Sequence, residues 1–136
     1  MATPQNNEQA IRHCVALFNQ CSLEWVDTCY AEAAEWTELP IPGMTRGRQG
    51  DRAFLRLSAG NVLRLYPDRQ LRVLNLVAQA DQVVLEQDWQ GTTAADYASV
   101  KAGTVVRFQV ASFFTLADGL IVRQTDYVIP MPVIGR

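Results

Sequence analysis

Residues 104–129, TVVRFQVASFFTLADGLIVRQTDYVI, decide the fold of this 136-residue chain. Two runs rich in Val, Phe, Leu and Tyr alternate with polar residues, which is typical of β-strands with one buried face. The runs are separated by ADG at residues 117–119, a strong signal for a tight hairpin turn. This stretch therefore predicts the last two strands of an antiparallel sheet.

Two earlier runs extend the same pattern. QLRVLNLVA (70–78) and QVVLEQDWQGT (82–92) also have a period of two, and QAD (79–81) forms the turn between them. A polar loop, TAADYASVKAG (93–103), leads into the third strand. The second half of the chain is therefore predicted to be a four-stranded meander.

The first half of the chain has helical periodicity instead. We predict helices over residues 7–20, from an N-cap at Ser22 through residue 33, and over residues 48–65. AEWTEL (34–39) reads as a short strand that ends at PIPG, because two prolines are incompatible with a strand ladder or a helix. The predicted buried stripe of the third helix is Ala53, Phe54, Leu57, Asn61 and Leu65.

Helices followed by an antiparallel meander indicate the α+β class. We predict one domain, residues 1–136, in which three N-terminal helices pack into a strongly curved antiparallel sheet. Such a cone has a centre that is hard to fill, so the architecture predicts a pocket.

Composition excludes several function classes. The net charge is −2 and there is no dense Lys/Arg cluster, so we expect no nucleic-acid binding. No apolar run approaches the ~20 residues of a membrane span, and MATPQNNEQA at the N-terminus lacks the features of a secretion signal. We therefore expect a cytoplasmic protein with no membrane association.

The cysteines and the one histidine predict no metal site. Cys14 and Cys21 would lie about 10 Å apart along one helix, too far for a disulfide. With Cys29 they are interpreted as reduced, mostly buried thiols. One His and no CxxC pair leave zinc without suitable ligands. His13 lies off the apolar stripe of the first helix and is interpreted as a surface residue.

Three stretches carry a family resemblance: LFNQCSLEWVDTCYAEAAEW (17–36), LPIPGMTRGRQGDRAFL (39–55) and FFTLADGLIVRQTDY (113–127). In this order they resemble the SnoaL-like branch of the nuclear-transport-factor-2-like superfamily. The resemblance covers essentially the whole chain and implies a cone-shaped, cystatin-like α+β barrel. This fold hosts isomerases, cyclases, dehydratases, epoxide hydrolases and non-catalytic modules, so the resemblance leaves the reaction open.

The comparison with limonene-epoxide-hydrolase-like enzymes places their water-activating Asp at Asp126. Their water-holding Asn and Tyr fall on Glu38 and Trp36. The Arg-x-Asp pair of their middle strand is replaced here by Gln87 and Trp89, so we do not expect epoxide opening of the limonene type.

The comparison with ketosteroid isomerases places their general-base Asp at Glu38 as well. Their two oxyanion donors fall near Cys14 and Ala111, so the donors themselves are missing. Because oxyanion stabilisation is usually the largest catalytic term, we do not expect ketosteroid isomerisation.

Strand parity predicts which side chains face the pocket, because successive residues point to opposite faces of a sheet. The predicted inner face consists of Leu120, Val122, Gln124, Asp126 and Val128 on the last strand, Val106, Phe108, Val110, Ser112 and Phe114 on the third, and Val83, Leu85, Gln87 and Trp89 on the second. This face is mostly apolar with a few polar groups, which is typical of a small-molecule site.

Asp126 and Glu38 are the predicted catalytic residues. Desolvation should raise the pKa of a carboxyl group in such surroundings, and a second acid nearby would raise one of the two further. One could then hold a proton while the other accepts one. The predicted substrate-binding residues are Tyr30, Trp36, Gln87, Trp89, Phe108, Val110, Ser112 and Gln124.

Two functions follow from this pattern. The first is an acid–base enzyme of isomerase, cyclase or hydrolase type that acts on a small hydrophobic molecule without metal or cofactor. The second is a non-catalytic ligand-binding or dimerisation module of the same fold. These residues can also be interpreted as purely structural. Asp126 would then pair with Arg123 or Arg107 at the sheet rim, Glu38 would be exposed, and Trp36 and Trp89 would only fill the core.

The remaining charged residues are interpreted as surface. Arg46, Arg48 and Arg52 are predicted to form a solvated face around the third helix. The outer sheet face is amphipathic, and the resemblance implies that it forms a homodimer. That face is predicted to carry Arg107, Gln109, Phe113, Arg123 and Tyr127.

Overall fold

The computed structural model describes residues 3–132 and contains three helices and six strands. In chain order these are α1 (Pro4–Phe18), α2 (Glu24–Cys29), β1 (Tyr30–Glu38), β2 (Arg48–Gly50), α3 (Arg52–Leu65), β3 (Gln70–Gln79), β4 (Gln82–Thr92), β5 (Val105–Ala117) and β6 (Leu120–Met131). The strands form a single sheet in the order β2-β1-β6-β5-β4-β3. The helices pack on the concave face of this curled sheet, which confirms the predicted α+β fold.

Side-chain caps set the start of two helices. The Thr3 hydroxyl accepts a hydrogen bond from the Asn6 N–H at 3.1 Å, and Pro4 follows as the first residue of α1. The Asp51 carboxylate accepts from the Phe54 N–H at 3.0 Å and caps α3. Helix α2 begins at Glu24 rather than directly after Ser22, although the Ser22 hydroxyl does accept from the Glu24 N–H at 3.4 Å.

The predicted second helix was too long. It ends at Cys29, and the chain continues from Tyr30 as strand β1. This strand pairs in parallel with β6, with Tyr30 opposite Ile121 and Glu38 opposite Asp126. Pairing with a distant strand therefore overrides the helical preference of the alanine-rich segment. It also corrects the prediction of a wholly antiparallel sheet, because the β1–β6 pair is parallel.

The predicted third helix was wrong in its start and in its buried face. Residues 48–50 form strand β2, which pairs with β1. The structure buries Leu55, Ser58 and Ala59, whereas Phe54 and Leu57 are 36% and 64% exposed. Apolar residues lie all around this helix, so only its packing against the sheet decides which side is inside.

The predicted meander is confirmed. Strands β3 to β6 are antiparallel neighbours, and their bounds agree with the prediction to within one or two residues. The core lies between this meander and the helices, where Ile11 of α1, Val26 of α2, Leu55 of α3 and Leu85 of β4 are buried.

Cys14 and Cys29 form a disulfide, which corrects the prediction of three reduced thiols. Their Cα atoms are 6.1 Å apart, and the two residues are 15 positions apart in the sequence. The prediction considered only a pair within one helix, whereas this pair joins the packed helices α1 and α2. Cys21 is a free thiol.

No helix within residues 3–132 has both the length and the apolar character needed to cross a bilayer.

Candidate active site

A cavity of about 510 Å³ lies between the helices and the concave face of the sheet. This volume is typical of small-molecule sites. All ten predicted site residues lie in its wall: Tyr30, Trp36, Glu38, Gln87, Trp89, Phe108, Val110, Ser112, Gln124 and Asp126. Their catalytic and binding roles stay predictions, but the structure brings them together.

Asp126 lies at the centre of the polar part of this wall and is only 9% exposed. Its Oδ1 accepts hydrogen bonds from the Ser112 hydroxyl at 2.6 Å and from the Gln124 amide at 2.8 Å. Its Oδ2 accepts one from the indole N–H of Trp36 at 3.0 Å. The carboxylate is therefore held in one orientation by three neutral donors.

A second layer of buried groups orients these donors. The Tyr30 hydroxyl donates to the Gln124 side-chain oxygen, which turns the amide N–H₂ of Gln124 toward Asp126. The Gln87 amide donates to the Ser112 hydroxyl oxygen at 2.9 Å, which leaves the Ser112 proton for Asp126. Each of these polar side chains is buried, so the network is protected from bulk water.

Burial raises the pKa of Asp126 above its usual range, as the sequence predicted. The hydrogen bonds from Ser112, Gln124 and Trp36 act in the opposite direction and stabilise the charged form. The positive charge of Arg48 also lowers the pKa of Asp126, but burial is the largest cause.

The sequence also allowed a purely structural role for Asp126, in which it pairs with Arg123 or Arg107 at the sheet rim. Asp126 forms no such pair. Arg123 instead pairs with Glu35 at 3.4 Å, and Arg107 pairs with Asp88 at 3.4 Å.

Glu38 lines the cavity but is bound to Arg48. The guanidinium donates from Nε and Nη2 to both carboxylate oxygens of Glu38, over 3.0 to 3.3 Å. The Glu38 side chain is 12% exposed and that of Arg48 is 34% exposed. The predicted second acid is therefore half of an ion pair, not an exposed residue and not an isolated carboxyl group.

Arg48 was missed by the sequence prediction, which assigned it to a solvated face around the third helix. It lies instead on β2, opposite Glu38, and lines the cavity. Gly47 allows this placement, because its φ is +88° and a Cβ there would meet the Glu38 carbonyl oxygen at 2.8 Å. The glycine between the two arginines of TRGR was the signal that could have revealed a tight return of the chain.

Trp36 contacts both Asp126 and Arg48. Its indole N–H donates to Asp126, and the Arg48 guanidinium carbon lies 5.3 Å from the centre of its ring. Trp36 is therefore more than a filler of the core.

The opposite part of the wall is aromatic. Trp89 packs against Phe108 with ring centres 5.4 Å apart and edge-on against Tyr66 at 5.0 Å. These rings line the cavity without filling it.

Strand parity correctly predicted that inner residues of β4 and residues 124–128 of β6 face the cavity. The same prediction failed at the start of β6. Leu120 is 38% exposed, and Ile121 is buried in its place at 1%. The register between β5 and β6 shifts after Thr115, where Val122 has no direct partner. This bulge inverts the alternation at its N-terminal side, so the predicted inward position of Leu120 was wrong.

The sequence prediction also missed the residues at the cavity mouth. Met44, between β1 and β2, and Tyr97, between β4 and β5, line the cavity and are 56% and 60% exposed. Within residues 3–132, no three His, Cys, Asp or Glu side chains come together as a metal-binding group.

The family assignment comes from a match of residues 11–124 to the SnoaL-like domain. The chain belongs to the SnoaL-like domain family. This confirms the predicted resemblance. The matched residues extend from α1 into β6. No curated protein matches the sequence.

Solved structures support the same fold. AclR from Streptomyces galilaeus, provisionally assigned as a hydroxylase, is 18% identical with a TM-score of 0.80, over 93% of this chain and 81% of that one. IdmH from Streptomyces antibioticus, provisionally assigned as a polyketide cyclase, is 19% identical with a TM-score of 0.77, over 90% and 91%. A protein from Acidithiobacillus ferrooxidans with the same provisional assignment is 18% identical with a TM-score of 0.73, over 94% and 91%. At these identities the similarity shows a shared SnoaL-like fold alone.

Proposed function

We propose that this SnoaL-like protein is an acid–base enzyme that acts on a small, mostly apolar molecule, with Asp126 as the proton-transfer group. The observation that carries the proposal is the buried Asp126 carboxyl group, which lines an apolar cavity and is oriented by three neutral donors. Isomerisation, cyclisation and water addition are all compatible, because each requires proton transfers in a site shielded from water. Two of the structural relatives carry provisional assignments as cyclases, which agrees with this class of reaction.

The geometry leaves part of Asp126 available to a substrate. Its Oδ2 accepts only the Trp36 bond among the described residues, so this oxygen retains a further lone pair. A raised pKa makes the carboxylate a stronger base and allows the protonated form to return the proton later. Since the three donors are neutral, they orient Asp126 without neutralising its charge.

Glu38 takes a different part in this proposal. Both of its carboxylate oxygens accept hydrogen bonds from Arg48 in an ion pair, so we propose that it positions Arg48 rather than moving protons itself. The alternative of a non-catalytic binding module would be favoured by a cavity plugged with Trp36, Trp89 and Phe108. All three line an open cavity instead.

Hydrogen exchange tests the proposal without knowledge of the natural substrate. 2-Tetralone is an apolar bicyclic ketone, small enough for the cavity of about 510 Å³, with acidic C–H groups next to its carbonyl. We expect the protein to accelerate deuterium incorporation from D₂O into these positions, followed by mass spectrometry, and expect Asp126→Asn to remove the acceleration.

Binding is measured in parallel by thermal shift, with tricyclic ketones as larger probes. If a ketone binds but exchanges only at the buffer rate, the enzyme proposal fails and the binding module is correct. If none of the ketones binds, apolar ketones are excluded as ligands of this cavity.

We also propose that the outer sheet face forms a homodimer. Phe113 and Tyr127 are 49% and 45% exposed there, and their ring centres are 5.6 Å apart. Light scattering should show twice the monomer mass, and Phe113→Asp should reduce it to one. The cytoplasmic location stays a prediction, and the Cys14–Cys29 disulfide is an observation against it, because disulfides persist mainly in oxidising compartments.

A further inference from the structure

Four side chains of the site lie in one row across four neighbouring strands. The register places Arg48 of β2 opposite Glu38 of β1, Glu38 opposite Asp126 of β6, and Asp126 opposite Ser112 of β5. All four line the cavity. Since neighbouring strands are about 4.8 Å apart, the backbone of Arg48 lies roughly 10 Å from that of Asp126. A guanidinium at the end of a long side chain can therefore reach a ligand that contacts Asp126.

Arg48 is held in place but retains unused donors. Nε and Nη2 donate to Glu38, and the ring of Trp36 lies beside the guanidinium. Nη1 of Arg48 carries two N–H groups, and neither donates a hydrogen bond to any side chain or carbonyl within residues 3–132. In contrast, the single N–H of Trp36 and the single O–H of Ser112 are both used on Asp126. Arg48 is therefore the donor best placed to serve a ligand at this end of the cavity.

We propose that Arg48 binds the carbonyl oxygen of the substrate and stabilises the enolate that forms when Asp126 removes a proton from the adjacent carbon. This inference rests on the proposed acid–base function and narrows the substrate class to apolar carbonyl compounds with a C–H next to the carbonyl. Asp126 takes the proton, the electron pair of the broken C–H bond forms a C=C bond, and the carbonyl π pair becomes a lone pair on oxygen. The negative charge thus moves from Asp126 to the substrate oxygen.

Arg48 can interact more directly with the new oxyanion than with Asp126. Before the transfer, no hydrogen bond joins Arg48 to Asp126 within residues 3–132, and Arg48 acts on that group only through its charge, which lowers its pKa and favours the ionised form. After the transfer Asp126 is neutral, and the guanidinium can interact with the new oxyanion by direct N–H hydrogen bonds. A preorganised donor of this kind stabilises the transition state more than the ground state. Glu38 is a positioning residue in this scheme, because it fixes the guanidinium plane.

The test uses 2-naphthol, the aromatic counterpart of the enol of 2-tetralone, in the Asp126→Asn protein. The neutral amide imitates Asp126 after it has accepted the proton, and the naphtholate imitates the enolate. Absorbance distinguishes naphthol from naphtholate, so a pH titration gives the pKa of the bound probe without any turnover. We expect binding to lower the pKa of naphthol, and Arg48→Gln to weaken naphtholate binding by roughly tenfold to a hundredfold.

Arg46→Gln is the matched control. It removes the same charge two residues away from a side chain that is exposed and is not part of the cavity wall, and should change naphtholate affinity by no more than about twofold. Arg48→Lys keeps the positive charge but loses the planar guanidinium with its several N–H donors. This protein should have a naphtholate affinity between those of the Arg48→Gln protein and the protein with Arg48 intact. Because Arg48→Gln leaves Glu38 unpaired, Glu38→Gln/Arg48→Gln provides a version with no unpaired charge, and it should lose affinity to the same extent.

Equal naphtholate affinity in the Arg48→Gln and Arg46→Gln proteins would overturn the inference. The proposed function is judged separately by ketone exchange. If ketone exchange depends on Asp126 but naphtholate affinity does not depend on Arg48, only the proposed role of Arg48 is wrong. Naphtholate binding that depends on Arg48, without ketone exchange, supports Arg48 as the anion-binding group and removes proton transfer by Asp126.

Discussion

Asp126 and Asp88 lie on the same sheet and have similar exposed fractions, 9% and 8%, but they lie on opposite faces and at different depths. Asp126 faces the cavity and accepts hydrogen bonds from Ser112, Gln124 and Trp36, all of them neutral. Asp88 faces outward and pairs with Arg72 at 2.7 Å and Arg107 at 3.4 Å.

The two pKa values shift in opposite directions as a result. Burial raises the pKa of Asp126. At Asp88 the hydrogen bond from Arg72 outweighs burial and lowers the pKa, with help from the charge of Arg107. The comparison shows that a small exposed fraction does not by itself raise the pKa of an acid, because a cationic partner in direct contact favours the ionised form.

Removal of the two carboxylates gives the largest contrast. We expect Asp126→Asn to reduce ketone exchange by about 10²- to 10⁴-fold, the usual contribution of a general base. Asp88→Asn is the matched substitution on the outer face and should leave the rate within a factor of about two. The rates are measured by deuterium incorporation into 2-tetralone. Similar losses in both proteins would mean that the effect is structural.

Removal of the disulfide tests how much the covalent link between α1 and α2 stabilises the fold. Cys14–Cys29 joins two helices that cover the inner face, and closure of a loop of this length contributes roughly 3 kcal/mol. Cys14→Ser should therefore lower the free energy of unfolding by about this amount, as measured by guanidinium denaturation.

Cys21→Ser is the control, because Cys21 is a free thiol. Thiol titration of the unfolded, unreduced protein should give one reactive group, and three after reduction. Three thiols before reduction would show that the bond is not formed in solution, in agreement with the prediction from the sequence.

The pH dependence of stability should have opposite signs for the two acids. The folded state of Asp126 binds its proton more tightly than the unfolded state, so its contribution to stability falls as the pH rises from about 3.8 through the raised pKa. Asp88 contributes stability above pH 3.8, and this is lost as the pH falls through its lowered pKa.

Urea denaturation between about pH 3 and pH 8 measures both effects. Relative to wild type, Asp126→Asn should gain stability as the pH rises, and Asp88→Asn should lose it. Parallel curves for the two variants would remove the electrostatic difference on which the comparison depends.

The smallest effect should come from Ser112→Ala. Loss of this hydrogen bond removes one of the groups that lower the pKa of Asp126. In a plot of the ketone exchange rate against pH, the acidic limb should therefore move to higher pH. Arg107→Gln removes a partner of Asp88 instead and should leave that limb unchanged. A shift with Arg107→Gln but not with Ser112→Ala would show that another group controls the profile.

Local pattern was sufficient for much of this protein. Alternation along residues 70–129 determined the four-stranded meander, and parity by itself placed Gln87, Ser112, Gln124 and Asp126 on one face. The reason is that successive side chains of a strand point to opposite faces, so a mixed row of apolar and polar residues shows which side is buried.

Only the tertiary structure decided what those residues contact. The parallel pairing of β1 with β6 and the return of the chain at Gly47 bring Arg48 and Glu38 into the row of Asp126. The bulge in β6 exchanges Leu120 for Ile121, and helix packing joins Cys14 to Cys29. Each of these depends on a contact between segments far apart in the chain, and local periodicity carries no information about which distant segments meet.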